Sequence, residues 1–215
     1  MPKLKPDTQR ARKEHILDSA ERCFARSGFH ATSMHDICRE GSISPGALYV
    51  YFPSKEALIE GICERDRNEF QKRFSNLAEA PDFFTALGIL AESYFLHDPR
   101  DRSILCMEIG LESTRNPRVG KIHQSVDNYV RLSFESLFQT MIDEGRIFPQ
   151  HDAATLARIL VLLGDGMFWR KGVDPKFQTK ATLKSVIEVI RQLLNPFQHS
   201  AQNKKIRPIM ETRRP

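Results

Sequence analysis

Residues 32–62, TSMHDICREGSISPGALYVYFPSKEALIEGI, contain the helix-capping and helix-breaking residues that decide the fold. Ser33 is a favourable N-cap, and Asp36 three positions later gives a variant of the capping box. This pattern predicts a short helix over residues 34–40, which Gly41 then breaks.

A second short helix follows almost at once. Ser44 is a favourable N-cap, and Pro45 falls at the first helical position, where no backbone N–H donor is needed. Pro53 disfavours a helical conformation of the residue before it, so the helix is predicted to end after about one and a half turns. Ser54 then caps the next, longer helix.

Two short helices joined by a three-residue turn that contains glycine are typical of a helix-turn-helix. A preceding helix, which begins at Asp7 or Thr8 and ends at Gly28, is expected to brace them. Its apolar stripe comprises Ile16, Ala20, Cys23 and Phe24. In such a motif the second helix enters the DNA major groove with its N-terminal residues nearest the bases.

The residue types of the second short helix suit that task. Gly46 and Ala47 leave room for the backbone to approach base edges, and Ala47 can touch a thymine methyl group. The hydroxyls of Tyr49 and Tyr51 can donate to phosphates. Lys55 adds a positive charge at a helix N-terminus, which also suits a phosphate.

An alternative is that Tyr49, Val50 and Tyr51 only cover the core between helices. Three neighbouring helical residues cannot all face inward, and Leu48 and Phe52 already take the core side. The pattern therefore favours a contact surface.

The quoted stretch resembles the DNA-binding segment of the TetR/AcrR family of bacterial transcriptional regulators. The family pattern is matched by Thr32, Ile37, residues 41–44, Gly46, Leu48, Tyr49, Phe52, Lys55 and Leu58. Three positions depart from it: Cys38 replaces the usual alanine, Ser42 the usual glycine and Tyr51 the usual histidine. The resemblance implies DNA contacts by Ser33, Met34, Ser44, Pro45, Gly46, Ala47, Tyr49, Tyr51 and Lys55, of which Met34 can offer only an apolar one.

Helical periodicity also dominates the rest of the chain, with further helices predicted at 55–77, 82–96, 102–114, 118–145, 152–171 and 176–194. We therefore expect an all-α protein with the nine-helix layout of the resembled family. Three regions are predicted: a helix-turn-helix domain over 1–54, a helical ligand-binding and dimerisation domain over 55–195, and a basic, disordered tail over 196–215. The tail carries five Lys/Arg against one Asp/Glu.

The second domain is expected to bind a small effector and to form a homodimer. Residues 105–120 and 164–173 resemble the BetI-like and AcrR-like branch of the family, which implies a ligand pocket. Candidate pocket residues are Phe70, Phe84, Met107, His123, Tyr129, Phe134, Met167 and Arg170, although an aromatic at helical spacing is more commonly core. The stripes Leu156, Ile159, Leu163, Met167 and Leu183, Ile187, Ile190, Leu194 predict a four-helix dimer interface.

Composition excludes several other classes. No apolar run is long enough for a transmembrane helix, no secretion signal is evident, and the four cysteines include no C-x-x-C pair. These features predict a cytoplasmic protein with reduced thiols, no metal and no cofactor. No nucleophile elbow or glycine-rich phosphate loop is found, so an enzyme is not expected.

Two functional hypotheses remain. The first is a homodimeric repressor that binds a palindromic operator in double-stranded DNA and is released by a small, largely apolar effector. The alternative is a DNA-binding protein without small-molecule input, in which the basic tail adds non-specific DNA affinity.

Overall fold

The computed structural model describes residues 6–196, which form nine α-helices and no strand. The helices are α1 (Pro6–Ala31), α2 (Met34–Glu40), α3 (Pro45–Tyr51), α4 (Lys55–Ala78), α5 (Phe83–Glu92), α6 (Arg100–Ser113), α7 (Pro117–Asp143), α8 (Ala153–Val173) and α9 (Thr179–Leu194). The all-α, nine-helix prediction is confirmed for this part of the chain. The predicted tail from residue 197 onward lies outside the described residues.

Most helix bounds agree with the prediction, and two differ. The helix expected over 82–96 is divided, because α5 ends at Glu92 and the chain continues as a π-helical turn, Ser93–His97. The helix expected from residue 176 begins only at Thr179, because Phe177 and Gln178 belong to a tight turn in which the Thr179 amide donates to the Phe177 carbonyl.

Gly28 interrupts α1 where the sequence predicts its end. Its backbone has φ 77° and ψ 165°, a conformation that favours glycine, and helical geometry resumes beyond it as far as Ala31. The interruption leaves the amide of Phe29 free of the helix, and Glu108 of α6 accepts its hydrogen bond at 3.2 Å. Gly28 therefore marks the point where α1 meets α6.

Two hydrophobic cores lie along the molecule. The first joins α1, α2 and α3 to the start of α4 and includes Leu105, Ile109 and Val119 from α6 and α7. The second lies among α4, α5, α7, α8 and α9, with Phe70, Phe134 and Phe138 among its members. The three N-terminal helices thus share one core with α4 and α6, and this shared core joins the two expected domains.

The apolar stripes that predict a dimer interface face largely inward. Leu163 and Ile187 are half-buried against the second core, and Ile159 is half-buried. Leu156 and Met167 of α8, and Leu183, Ile190 and Leu194 of α9, are buried within this single chain. The periodicity identified an apolar face correctly but could not show that the other helices of the same chain cover it. The outward apolar residues of α8 and α9 are instead Leu162, Trp169, Val173 and Val189.

Candidate DNA-binding surface and ligand cavity

The N-terminus of α2 is fixed by a reciprocal capping box. The Ser33 hydroxyl accepts from the Asp36 amide at 3.1 Å, and the Asp36 carboxylate accepts from the Ser33 amide at 2.9 Å. Hydrogen bonds from the Ser33 hydroxyl and amide hold the pKa of Asp36 below its ordinary value. Ser33 lies exposed at this end of the helix and Met34 half-buried beside it, with Met34 packed against the first core.

In the turn between α2 and α3, the strained backbone conformation falls on a serine and not on the glycine beside it. Ser42 has φ 51°, in the left-handed region, whereas the preceding Gly41 has φ −87°. Gly41 is needed for space, since a Cβ there would lie 2.6 Å from Ile43 Cδ1 and 2.7 Å from the Ser19 hydroxyl. His15 Nε2 also lies 2.8 Å from the Gly41 carbonyl oxygen, so the turn packs directly on α1.

Helix α3 buries one side and leaves the other uncovered. Leu48 is fully buried and Phe52 nearly so, as the sequence predicts. Tyr49 is 52% exposed and Val50 81% exposed, so neither covers the core. Tyr51 is half-buried and packs against the first core, which leaves Tyr49 as the outward tyrosine of the pair.

The first turn of α3 is open to solvent. Ser44 caps it by accepting from the Ala47 amide at 3.3 Å, and Ser44, Pro45 and Gly46 are all exposed. A Cβ at Gly46 would meet no atom within 4 Å, so the fold itself does not require glycine there. Ala47 is half-buried. The helix therefore presents a nearly bare backbone at its N-terminus.

Lys55 has a role that the sequence did not predict. Its ammonium group donates to the carbonyl oxygens of Phe29 and Thr32, at 2.5 and 2.8 Å, with that of His30 at 3.5 Å. It also lies 4.3 Å from the Phe29 ring centroid. With its donors directed at the end of α1, Lys55 acts as an internal cap in this structure and does not point outward as expected for a phosphate contact.

Basic side chains around α2 are largely paired within the protein. Arg22 and Arg26 of α1 contact the Glu40 carboxylate at 2.8 and 3.1 Å, and these hydrogen bonds lower the pKa of Glu40. Arg39 contacts Asp36 at 2.5 Å. Any contact that the surface around α3 makes therefore relies on its shape and its hydroxyl groups more than on unpaired charged side chains.

The helical part of the chain encloses a cavity of about 640 Å³. Residues from α4, α5, α6, α7, α8 and α9 line it, and the apolar lining includes Leu87, Leu90, Val130, Leu160, Val186 and Ile187. This volume is in the range of small-molecule sites. The lining is predominantly apolar with charged groups at separate places, an arrangement that can hold and orient an organic ligand.

Four of the eight predicted pocket residues line this cavity, namely Phe70, His123, Phe134 and Met167. The other four lie elsewhere for packing reasons. Phe84 is buried in the second core beneath the Arg191 guanidinium, and Tyr129 packs edge-on against the Phe70 ring with 6.0 Å between the centroids. Met107 lies against Gly172, and Arg170 is exposed beside Asp174 and Phe177.

The cavity wall also carries charged side chains that the sequence pattern does not predict. At one end, Glu21 of α1 and Asp66 of α4 meet Arg65 and Arg102, and all four line the cavity. Only their position after folding reveals them, since no local motif marks these residues. Elsewhere in the wall, Asp165 has its pKa raised by burial and by the Asp127 charge, an effect that His123 opposes.

The two cysteines in the cavity wall have weakly reactive thiols. Burial raises the pKa of Cys63 to about 12 and that of Cys106 to about 11. Thiols with such pKa values stay protonated near neutral pH and are poor nucleophiles. Residues 6–196 contain no cluster of His, Cys, Asp and Glu arranged to hold a metal ion, and none of their helices is long and apolar enough to cross a bilayer.

Comparison with known proteins identifies the N-terminal unit. A family model described as "Bacterial regulatory proteins, tetR family" matches residues 16–62. The chain is 32% identical over 161 residues to the HTH-type transcriptional regulator UidR of Escherichia coli strain K12, covering 72% of this chain and 79% of UidR. It is 28% identical over 170 residues to the HTH-type transcriptional regulator YfiR of Bacillus subtilis, covering 77% and 82%.

Solved structures share the whole architecture. Salmonella enterica GusR superposes with a TM-score of 0.72 at 28% identity, covering 86% of this chain and 95% of GusR. FadR from Bacillus subtilis, solved in complex with stearoyl-CoA, has a TM-score of 0.72 at 18% identity, covering 82% and 96%. The similarity thus extends from the helix-turn-helix through the helices around the cavity.

Proposed function

The chain belongs to the tetR family of bacterial regulatory proteins, a family of transcriptional regulators rather than enzymes, and we propose that it works as a homodimeric, effector-responsive repressor. Its operator is a palindrome in double-stranded DNA, read by α3 of each protomer. The observation that carries the proposal is the uncovered face of α3, where Tyr49 and Val50 are exposed and Gly46 has no internal reason to be glycine.

The proposed DNA contacts follow from that face. Gly46 and Ala47 let the helix backbone approach base edges, while Tyr49 donates to a phosphate. Ser33 and Met34 at the start of α2 flank this face along the motif, as do Ser44, the N-cap of α3, and Pro45, its first residue. Val50, the most exposed apolar residue of α3, adds an apolar base contact that the sequence analysis did not include.

Two sites are revised by the structure. Tyr51 is half-buried against the first core, so it supports α3 more than it faces outward. Lys55 acts indirectly, because its ammonium holds the end of α1 while the N-terminal amides of α4 remain suited to a phosphate.

We place the dimer interface on the outward faces of α8 and α9. Leu162 and Trp169 of α8 are 68% and 57% exposed, and Val189 of α9 is 46% exposed. A protein exposes such large apolar residues together on one face mainly where a partner covers them. Two copies of α8 and α9 would then pack as a four-helix bundle and set the two α3 helices about one DNA turn, roughly 34–36 Å, apart.

The effector site is the cavity, and its predominantly apolar wall favours a small, largely apolar compound. Such a compound releases the operator if it binds better to a form in which the two α3 helices are wrongly spaced. The alternative, DNA binding without small-molecule input, is disfavoured by the size of this cavity, since protein interiors are otherwise closely packed.

The test is selection of bound DNA from a random pool with the full chain. We expect a palindromic sequence whose half-sites lie about one helical turn apart. Trp169→Asp is expected to give a monomer in sedimentation and to lose selective binding, because burying a charge in each of two symmetric copies is costly. Recovery of only unrelated sequences, or an unchanged dimer in Trp169→Asp, contradicts the proposal.

A further inference from the structure

The side chain of Arg102 connects three helices at the wall of the cavity. It belongs to α6, and its guanidinium contacts Glu21 of α1 through Nη1 and Asp66 of α4 through Nη2. The side chain is 21% exposed, and all three residues line the cavity. A group bound in the cavity could therefore reach an ion pair that joins the cavity wall to a helix of the DNA-binding unit.

Arg65 of α4 extends the same ionic cluster along α1. Its guanidinium contacts Glu21 at 2.5 Å, Asp18 at 2.7 Å and Glu14 at 3.2 Å. Burial opposes the positive charge on Arg102, but Asp66 and Glu21 outweigh it and raise the pKa of that guanidinium. Burial also raises the pKa of Asp66, which the nearby guanidinium of Arg102 opposes. Every carboxylate that Arg65 contacts lies on α1.

Helix α6 holds α1 at two other points. Glu108 accepts from the Phe29 amide at 3.2 Å, and the buried Glu112 carboxylate lies 2.8 Å from His30 Nε2. Neither of these glutamates lines the cavity. Of the three α6 side chains that bind α1 in this way, Arg102 is the one an occupant of the cavity can contact. Cys106 and Ile109, on the same side of α6, continue the cavity wall.

We propose that Arg102 is a positioning residue through which occupancy of the cavity alters the placement of the DNA-binding unit. The inference rests on the proposed function of that cavity as the effector site. An occupant with a hydrogen-bond acceptor competes with Glu21 for the guanidinium. When Arg102 turns to the occupant, α6 loses one of its three ties to α1, while Glu21 keeps Arg65. The orientation of the unit that carries α3 is then less restricted, and its affinity for the operator falls.

Variants of this pair test the proposal without a known effector. Arg102→Gln, Glu21→Gln and the double variant are compared with Arg118→Gln, which breaks a pair of 3.1 Å with Glu60 that joins α7 to α4 and does not touch α1. Two quantities are measured below the unfolding temperature of every variant: affinity for the selected operator and amide hydrogen exchange along α1. Arg102→Lys keeps the charge and serves as the conservative variant if Arg102→Gln does not fold.

We expect each single variant of the tie to weaken operator binding by about tenfold. The double variant should weaken binding by less than the product of the two single effects, because both single variants remove the same Arg102–Glu21 contact. Exchange in α1 around residue 21 should be faster in these variants and unchanged in Arg118→Gln. Arg102→Lys should be intermediate, since an ammonium group cannot match the two-pronged contact of a guanidinium.

Operator affinities within twofold of wild type, together with unchanged exchange in α1, would overturn the proposal. A merely structural role would lower the melting temperature without moving the operator affinity of the folded protein, and this outcome also counts against it. If wild type binds no selected DNA, the repressor proposal fails separately, and the exchange comparison still decides whether Arg102 restrains α1.

Discussion

The two units of this molecule are built in contrasting ways. Residues 16–63 form a dense core in which Ile16, Ile37 and Leu48 are fully buried, and short helices are held by caps at each end. The helices beyond it enclose a cavity of about 640 Å³ with charged side chains in its wall. A densely packed unit presents side chains at fixed positions, whereas a hollow one can change shape when it is filled. The contrast suggests that one unit reads DNA and that the other controls when it does so.

The most sensitive point of the dense unit is expected to be Gly46. Gly46→Leu should weaken operator binding by about 100-fold, because the new side chain stands between the α3 backbone and the base edges. Thermal stability should not fall, because a Cβ at this position meets no atom within 4 Å. Gly88→Leu in α5 is the matched control, since a Cβ there also meets nothing within 4 Å and the residue lies far along the chain from α3. Equal operator affinity for the two variants would show that α3 does not lie in the DNA interface.

Replacing Lys55 tests whether its ammonium group holds the end of α1 or contacts DNA. Lys55→Met should lower the free energy of unfolding by about 2 kcal/mol, because the carbonyls of Phe29 and Thr32 lose a charged donor. The salt dependence of operator binding should stay the same. Lys13→Met, which removes a 3.9 Å contact with Glu64 and an ammonium 5.9 Å from the Phe52 ring centroid, is the control and should have little effect on stability. A salt slope reduced by about one phosphate equivalent with stability intact would restore the phosphate role.

Substitutions at two adjacent residues of the turn between α2 and α3 are expected to change the free energy of unfolding in opposite directions. Ser42→Gly should stabilise the protein by about 1 kcal/mol, because glycine adopts the φ of 51° without strain. Gly41→Ala should destabilise it, because the added Cβ would lie within 2.7 Å of Ile43 and Ser19 atoms. Denaturant unfolding measures both. A loss of stability in Ser42→Gly would mean that the Ser42 side chain compensates for its backbone strain.

The smallest expected effect concerns Asp165 in the cavity wall. Burial and the Asp127 charge raise its pKa, so the ionised form is disfavoured in the folded protein. This cost applies above the ordinary pKa of 3.8 and disappears as the carboxyl is protonated at lower pH. Asp165→Asn should therefore raise the melting temperature slightly at pH 7, with the difference shrinking toward pH 4.

Asp152, the N-cap of α8, provides a control of opposite sign. The hydrogen bond from the Thr155 side chain lowers the pKa of Asp152, and the Thr155 amide adds to it at 2.7 Å. Asp152→Asn should therefore lower stability at pH 7, again with less difference at low pH. The same sign for both variants would contradict the assignment of Asp165 as a desolvated group.

The sequence predicted the dense unit better than the hollow one, for a physical reason. The caps at Ser33, Ser44 and Ser54 each accept from the amide three residues on, so the residues that begin α2, α3 and α4 lie close together in the chain. The exposure of Tyr49 followed from the short helix between two prolines. Local chemistry of this kind can be deduced from sequence alone.

The cavity depends on packing between distant segments, which the sequence pattern does not carry. Periodicity favours Phe70 and Tyr129 equally as pocket residues, yet Phe70 lines the cavity and Tyr129 packs edge-on against its ring instead. No sequence pattern marks Arg102, because its two partners lie 81 and 36 positions away in the chain. The stripes of α8 and α9 were assigned to the wrong surface because periodicity does not say which neighbour covers a face.

Filling the hollow unit should weaken operator binding by the dense one, and a substitution at Gly164 allows this effect to be measured directly. Gly164 of α8 lines the cavity, and a Cβ there meets nothing within 4 Å, so Gly164→Phe fills part of the space as a ligand would. We predict that its operator affinity falls by at least about tenfold relative to wild type and to Gly88→Phe, which is not in the wall. Equal operator affinity for all three proteins, with Gly164→Phe folded, would contradict the account.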